Sequence, residues 1–325
     1  MTEHTGPSAP IVGFVGVGTV GTVLATVLAE AGYRVSMVAS RKRAAADRLA
    51  TSIAGCKSVE GAPEVAASCD LVFLTVPDDA IREVTAMVQW RSGTAVVHCS
   101  GATSLEALSR ASEAGAATGV FHPLQTFADS EDGLSALQSS FFGVEAPDQK
   151  LRAILHGMAT DLQCSSVDLQ SDARALYHVS AVMASNHLVA LIADAAGLWD
   201  ELGFGRSKGL EALLPLVRGT VRNLERQGVP AALTGPVARG DIGTVQRNLS
   251  AIRERSPELE SAFRAMTLRT LELSKEKGRI SDEDVAGILT LLQRRTGAGG
   301  TLSNDPDNAR REDSPRDGNP GERGL

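Results

Sequence analysis

The apolar run Ile11–Val15 is followed directly by Gly16-Val17-Gly18-Thr19-Val20-Gly21. A short apolar strand, a glycine turn and a helix start, in that order, constrain the chain to open as a βαβ unit of the kind that cradles a dinucleotide. Each glycine has its own reason. Gly16 permits the tight turn off the strand, and Gly18 lets the backbone approach a pyrophosphate. Gly21 removes a side chain where the helix packs on the strand. The helix expected over Thr19–Ala31 aims its unpaired N–H groups, beginning at Thr19 and Val20, at the phosphates. With 32 glycines in the chain the spacing alone is a weak signal. The context strengthens it, because Gly32 stops the helix and Tyr33–Ala39 reads as the next strand.

The end of that second strand bears on which dinucleotide would fit. A carboxylate about 20 residues past the turn would hold a ribose 2′-hydroxyl. This chain has Ser40-Arg41-Lys42-Arg43 there instead. A hydroxyl beside several cations suits a 2′-phosphate, so NADP(H) is the expected cofactor. Ser40 and Arg41, nearest the strand end, are the expected contacts. Lys42, Arg43 and Arg48 also read as a solvated helix face.

A chain of 325 residues accommodates two domains, and 43% hydrophobic residues support real cores. A net charge of −7 argues against nucleic acid or an anionic membrane as partner. No apolar run approaches the ~20 residues that span a bilayer, and the first ten residues show no secretory pattern. A cytoplasmic location is therefore expected. Cys56, Cys69, Cys99 and Cys164 are scattered and read as reduced and structural. The six histidines lack metal-ligand spacing, so no metal site is expected.

Residues 1–10 read as a flexible lead. Over 11–170, apolar runs at Ile11–Val15, Tyr33–Ala39, Leu71–Val76, Thr94–His98 and Ala117–Phe121 alternate with helical patterns such as Ala44–Ile53 and Leu105–Ala114. That alternation predicts a parallel sheet covered on both faces. Phe141–Val144, a helix near Gln149–Leu162 and Ser165–Leu169 close the sheet, partly antiparallel. Over 171–295 helical periodicity dominates. One long helix is expected from Ser171 to Leu202 and another over Lys208–Gln227, with Pro215 breaking or kinking the latter near Leu214. Further helices are expected at Ile242–Arg255, Pro257–Glu276 and Asp282–Arg295. Residues 296–325 are polar and rich in Gly, Pro, Asp and Arg, and are expected to be disordered.

Ligands of an open parallel sheet bind at the carboxyl ends of its strands. Val76-Pro77-Asp78 follows one such end, with Asp78 facing a nicotinamide ribose or capping the next helix. His98-Cys99-Ser100-Gly101-Ala102 follows another. There Ser100 and Gly101 are placed to meet nicotinamide or substrate, and His98 reads as structural. His122 follows a third, fixed by Pro123, and is a candidate proton donor or substrate-oxygen ligand. A solvated loop histidine is the alternative. On the long helix, His178 and Ser185 lie two turns apart on one face with Asn186 on its flank. They form a polar stripe for a substrate carbonyl or for internal hydrogen bonds. Thr234-Gly235-Pro236-Val237-Ala238-Arg239-Gly240-Asp241 offers Arg239 to a carboxylate, with Asp241 placed to cap the next helix.

Taken together, the Gly16–Gly21 turn, the segment from His98 to Ala102, Phe121–Phe127, Tyr177-His178 through Asn186, and Thr234 through Asp241 resemble one family. It is the Rossmann-like oxidoreductase family whose C-terminal half is catalogued as domain of unknown function 2520. The layout is more distantly similar to ketopantoate reductase, pyrroline-5-carboxylate reductase, F420-dependent NADP reductases and β-hydroxyacid dehydrogenases. The resemblance implies an α/β fold: an N-terminal Rossmann-type parallel sheet domain followed by an all-α C-terminal domain that supplies substrate contacts and dimerises. It also implies NADP(H)-dependent reduction of a small carbonyl, such as a 2-oxo acid with ketopantoate as the leading candidate, or of an imine, bound between the domains. On this reading His122 or His178 polarises and protonates the oxygen, Ser100 and Asn186 orient it, and Ser185 and Arg239 contact substrate. One departure stands out. The β-hydroxyacid and ketopantoate enzymes place a lysine on the first C-terminal helix, and this chain has none from Ser171 to Leu202. A non-catalytic NADP(H)-binding redox sensor and an F420-linked NADP reductase are the competing readings.

Overall fold

The computed structural model describes residues 10–127, 137 and 140–294. The expected lead and tail, at 1–10 and 296–325, lie almost wholly outside these residues. Two compact units divide at Leu191/Ile192.

The first unit is built on one eight-stranded sheet of order β3-β2-β1-β4-β5-β6-β7-β8. The strands are β1 (Val12–Val15), β2 (Val35–Ala39), β3 (Lys57–Val59), β4 (Leu71–Leu74), β5 (Ala95–His98), β6 (Ala117–Pro123), β7 (Phe141–Glu145) and β8 (Ser165–Asp168). All neighbours pair parallel except β6 and β7, which are antiparallel. The helices between them are α1 (Thr19–Glu30), α2 (Arg43–Ser52), α3 (Ala62–Ser68), α4 (Ile81–Met87), α5 (Ser109–Glu113) and α6 (Gln149–Asp161). The short strand Lys57–Val59 and helix Ala62–Ser68 lie in a stretch where no separate elements were expected.

Alternation along each strand splits the core in two, as a sheet buried on both faces requires. Leu71 and Phe73 of β4 join the layer containing Leu24 and Leu28 of α1, Leu49 of α2 and Leu155 of α6. Val72 and Leu74 join the opposite layer with Val65 of α3 and Ile81 of α4. Phe14, Phe73, Phe121 and Phe142 form a ladder across four strands, with ring centroids 5.0, 6.1 and 4.0 Å apart. These aromatic contacts bind the antiparallel strand β7 into the parallel sheet. The chain reverses its direction of strand addition between β2-β1 and β4, so the crevice above β1 and β4 is the topological switch point.

The helical region contains α7 (Arg174–Ala184), α8 (Asn186–Glu201), α9 (Arg206–Gln227), α10 (Ile242–Arg255), α11 (Glu260–Lys277) and α12 (Asp282–Gln293). The single helix expected over Ser171–Leu202 is divided at Ser185, whose φ is −113° and ψ −74°. Of the break or kink expected at Pro215, the break does not occur: α9 runs continuously through it. Pro215 is exposed, so the carbonyl its missing N–H leaves unpaired has access to water. The domain boundary expected at 170/171 also moves. Helix α7 is tied to the sheet by side chains described below and belongs to the first unit. The second unit has its own core of Val237, Val245, Leu249, Leu271 and Ile288. Ser281 and Asp241 cap their helices by accepting from Asp284 N and Thr244 N.

The expectation that no stretch is long and apolar enough to cross a membrane is corrected. Arg174–Glu201 meets that test by length and composition, and little of it is buried. Leu176, Val179, Met183, Leu188, Val189 and Leu191 are exposed along it.

Candidate functional site

The three glycines of the β1–α1 turn are surrounded differently. Gly16 has φ +100°, and a β-carbon there would lie 2.6–2.7 Å from the backbone of Thr75 and Val76. One at Gly21 would lie 2.3 Å from the Gly16 carbonyl oxygen and 2.5 Å from Thr75 Oγ1. Thr75 Oγ1 donates to that same carbonyl at 2.6 Å, which locks the turn against β4. A β-carbon on Gly18 would meet nothing within 4 Å. Gly16 and Gly21 are therefore required by the protein itself, and Gly18 leaves open space beside the N-terminus of α1.

A groove of about 420 Å³ opens there, lined by Val17, Gly18, Thr19, Thr22, Lys42, Arg48 and neighbouring residues. Of the cations after β2, Lys42 and Arg48 stand on its wall, whereas Arg41 does not line it. Arg43 is turned away, bonded to Asp47 at 3.1 Å and to the Ser58 carbonyl at 3.2 Å. Ser40 Oγ accepts from Lys42 N at 3.2 Å and shapes the loop entering α2.

From the switch point the site continues along the strand ends. Val76 packs against Gly16, and Pro77 leads into a 3-10 turn over Asp78–Ala80. Ser100 Oγ donates to Asp78 Oδ2 at 2.6 Å and accepts from Thr103 N at 2.9 Å and Ala102 N at 3.2 Å. Ser100 thus stitches the β4 and β5 loops together, and its hydroxyl is occupied within the protein. His98 is fully buried, and its Nδ1 accepts from Ser100 N at 3.2 Å. Burial, then the charge of Arg174, depresses its pKa to about 4. It is a neutral structural histidine, as its position at the strand end suggested. Cys99 is likewise buried, and burial pushes its thiol up, which removes it as a nucleophile.

Gly101 is where the candidates meet. A β-carbon on it would lie 2.7 Å from His122 Nε2 and 2.7 Å from His178 Nδ1. The two imidazoles face each other across this glycine, with centroids 6.3 Å apart at 76°. His178 Nδ1 is buried with no hydrogen-bond partner among the described residues. Burial foremost, then His178 and Arg174, lowers the His122 pKa to about 4 against an opposing pull from Asp78. Both sides of the pair come from one unit: His122 from β6, His178 from α7.

Helix α7 is held in place by two contacts absent from the expected site. Arg174 is 2% exposed and pairs with Glu145 at the end of β7. The other Glu145 oxygen accepts from Ser171 Oγ at 2.5 Å. Tyr177, one turn on, brings its hydroxyl to 3.1 Å from His122 Nδ1. A lysine is missing from this helix, yet a buried cation is supplied by Arg174, and its charge is felt at His98 and His122. Glu145 ends an apolar strand and Arg174 begins an apolar helix, so each was visible as an isolated charge in an apolar setting. Their pairing was not, because 29 residues separate them.

Ser185 lies at the α7–α8 junction and Asn186 begins α8 on an exposed surface. No hydrogen bond joins either side chain to the histidine pair. Arg239 belongs to the second unit, in the 3-10 turn Val237–Arg239. Among the described residues no three His, Cys, Asp or Glu side chains converge to hold a metal ion.

Residues 4–123 match the model of the Rossmann-like domain, and residues 140–270 match that of Domain of unknown function (DUF2520). The chain is thus a Rossmann-like domain joined to a DUF2520 domain. None of the curated proteins matches its sequence. Among solved structures it is similar to a Thermotoga maritima protein, with 26% identity and a TM-score of 0.67, covering 83% of this chain and 100% of that one. It is also similar to a Bacteroides fragilis protein itself proposed as an NADP oxidoreductase (23% identity, TM-score 0.64, covering 81% and 98%). A third is the reductive aminase of Aspergillus terreus in complex with NADPH and ethyl-5-oxohexanoate (17% identity, TM-score 0.60, covering 87% and 99%).

Proposed function

We propose that the chain is an NADP(H)-dependent oxidoreductase that reduces a small carbonyl or imine. The observation that carries this reading is one continuous line of contacts at the strand ends of a single sheet. It runs from the open space at Gly18, through Gly16–Val76 and Asp78–Ser100, to the His122–Gly101–His178 cluster. The fold neighbours add an NADPH complex of a reductive aminase.

The residues fit the cofactor. Gly18, Thr19 and Val20 would receive the pyrophosphate on the α1 N-terminus, as the clear space at Gly18 allows. Lys42 and Arg48 on the groove wall, rather than Arg41, would take the 2′-phosphate, with Ser40 shaping the loop that carries Lys42. Val76, Pro77, Asp78 and the Gly101 backbone would flank the nicotinamide half. When bound, NADPH supplies the hydride. His122, neutral at pH 7, polarises the substrate oxygen or nitrogen as a hydrogen-bond donor, and the proton that completes the reduction comes from solvent. His178 Nδ1 offers a second polar atom at the same place.

The exposed apolar side chains of Arg174–Glu201 call for a cover, and we assign it to a second copy of this chain. Anchoring of this helix to the sheet unit through Arg174 and Glu145 argues against insertion in a bilayer. The cover would make the functional form a homodimer.

NADPH and NADH fluorescence titrations, followed by a panel of 2-oxo acids including ketopantoate and of cyclic imines, test the assignment. Tighter NADPH binding and oxidation on one panel member are expected. The absence of a lysine and the neutrality of His122 favour one alternative, a non-catalytic NADP(H) sensor. Tight NADPH binding with no turnover on any panel member would favour it, and no nucleotide binding would overturn both.

A further inference from the structure

His122 lies between two groups. Its Nδ1 faces the Tyr177 hydroxyl at 3.1 Å, and its Nε2 faces Gly101 and His178. A neutral imidazole carries one N–H and one lone pair, so the bond at Nδ1 decides what Nε2 presents.

The surroundings of the phenol set the direction of that bond. His122 and Gly143 are register partners in the antiparallel β6–β7 ladder, so their side-chain positions share a face. Gly143 has no side chain, and Tyr177 fills the space. A β-carbon there would lie 2.9 Å from the phenolic oxygen and 3.0 Å from Cζ. Burial keeps the phenol protonated, pushing its pKa up to about 12. Its hydrogen needs an acceptor. Among the described residues the only one bonded to it is His122 Nδ1. The rings meet edge to face, 5.5 Å apart at 84°.

We propose that Tyr177 is a positioning residue: by donating to Nδ1 it holds His122 as the Nε2–H tautomer and directs that hydrogen to the Gly101 side of the site. There it meets the substrate oxygen or nitrogen. The catalytic half of this inference rests on the reductase reading; the tautomer does not.

The test uses full-length protein with 15N-labelled histidine. Long-range 1H–15N correlation at about pH 7 identifies which nitrogen of each ring is protonated. The His122 signals are assigned by their loss in His122→Gln. Wild-type His122 is expected as a single Nε2–H tautomer. Tyr177→Phe, which keeps the ring and removes the hydroxyl, is expected to give a tautomer mixture. Its turnover should fall roughly tenfold or more at unchanged NADPH affinity. An Nδ1–H tautomer in the wild type would overturn the proposal, as would an unchanged tautomer in Tyr177→Phe. If the variant does not fold, the wild-type spectrum decides. Failure of NADPH binding would sink the reductase reading and leave the tautomer readable.

Discussion

A β-carbon added to Gly21 would sit 2.3 Å from a carbonyl oxygen, and one added to Gly18 would meet nothing. Two glycines three residues apart therefore differ in what they serve. Gly18→Leu is expected to abolish NADPH binding while leaving the thermal midpoint unchanged. Gly21→Val is expected to destabilise by about 1–3 kcal/mol through overpacking. Paired fluorescence titrations and thermal melts would separate the two; normal NADPH binding by Gly18→Leu would remove the nucleotide assignment. At the other end of the site, Glu145 neutralises a guanidinium that is almost wholly buried. Glu145→Ala leaves that charge unpaired and should cost about 3–5 kcal/mol. Replacing both partners, Glu145→Leu with Arg174→Met, should recover most of it in urea unfolding.

At the scale of elements, the strand–turn–helix order was legible because apolar runs of strand length, punctuated by glycine, alternate with helical periodicity. The antiparallel strand Phe141–Glu145 was legible as a strand, and its partner β6 was settled by register and by the Phe121–Phe142 stack. The helix start marked by Asp241 was readable from capping chemistry. Pro215 misled, because propensity weighs against proline in a helix interior and the surrounding periodicity prevailed. Pro215→Ala is accordingly expected to stabilise the second unit by about 1–3 kcal/mol. A lowered denaturation midpoint for this variant would show that the proline fits its helix without strain. Breakage of the long helix at Ser185 carried no comparable signal, since neither proline nor glycine stands there.

At the scale of the whole molecule, two buried histidines couple stability to pH. His98 and His122 titrate near 4 in the folded protein, against 6.5 for the ordinary side chain. Both are neutral in the folded state at pH 7. As pH falls from about 6.5 towards 4, the unfolded chain takes up protons that the folded chain refuses, so stability decreases through that window. Urea midpoints at about pH 7, 5.5 and 4.5 should fall in that order, and a flat profile would contradict the burial of these rings. Light scattering at several concentrations is expected to show a dimer. Replacing Leu188 and Leu191 with lysine should give monomers that still bind NADPH; a wild-type monomer would leave the apolar helix without its proposed cover.

The sequence by itself determined the local and periodic features: the glycine turn, the alternation that makes a sheet buried on both faces, and the positions of His122 and His178. These follow from spacing within a few residues, where strand and helix geometry dictate which side chains share a face. Only the tertiary structure decided that Gly101 lies between the two imidazoles, that Ser100 is spent on Asp78, and that Glu145 meets Arg174. It also chose Lys42 and Arg48, rather than Arg41, for the groove wall. Each of these depends on contacts between residues remote in sequence or on the direction a side chain takes, which a one-dimensional pattern does not encode. The seat that Gly143 leaves for Tyr177 is of the same kind: a missing side chain in a strand becomes meaningful once the ladder sets His122 beside it.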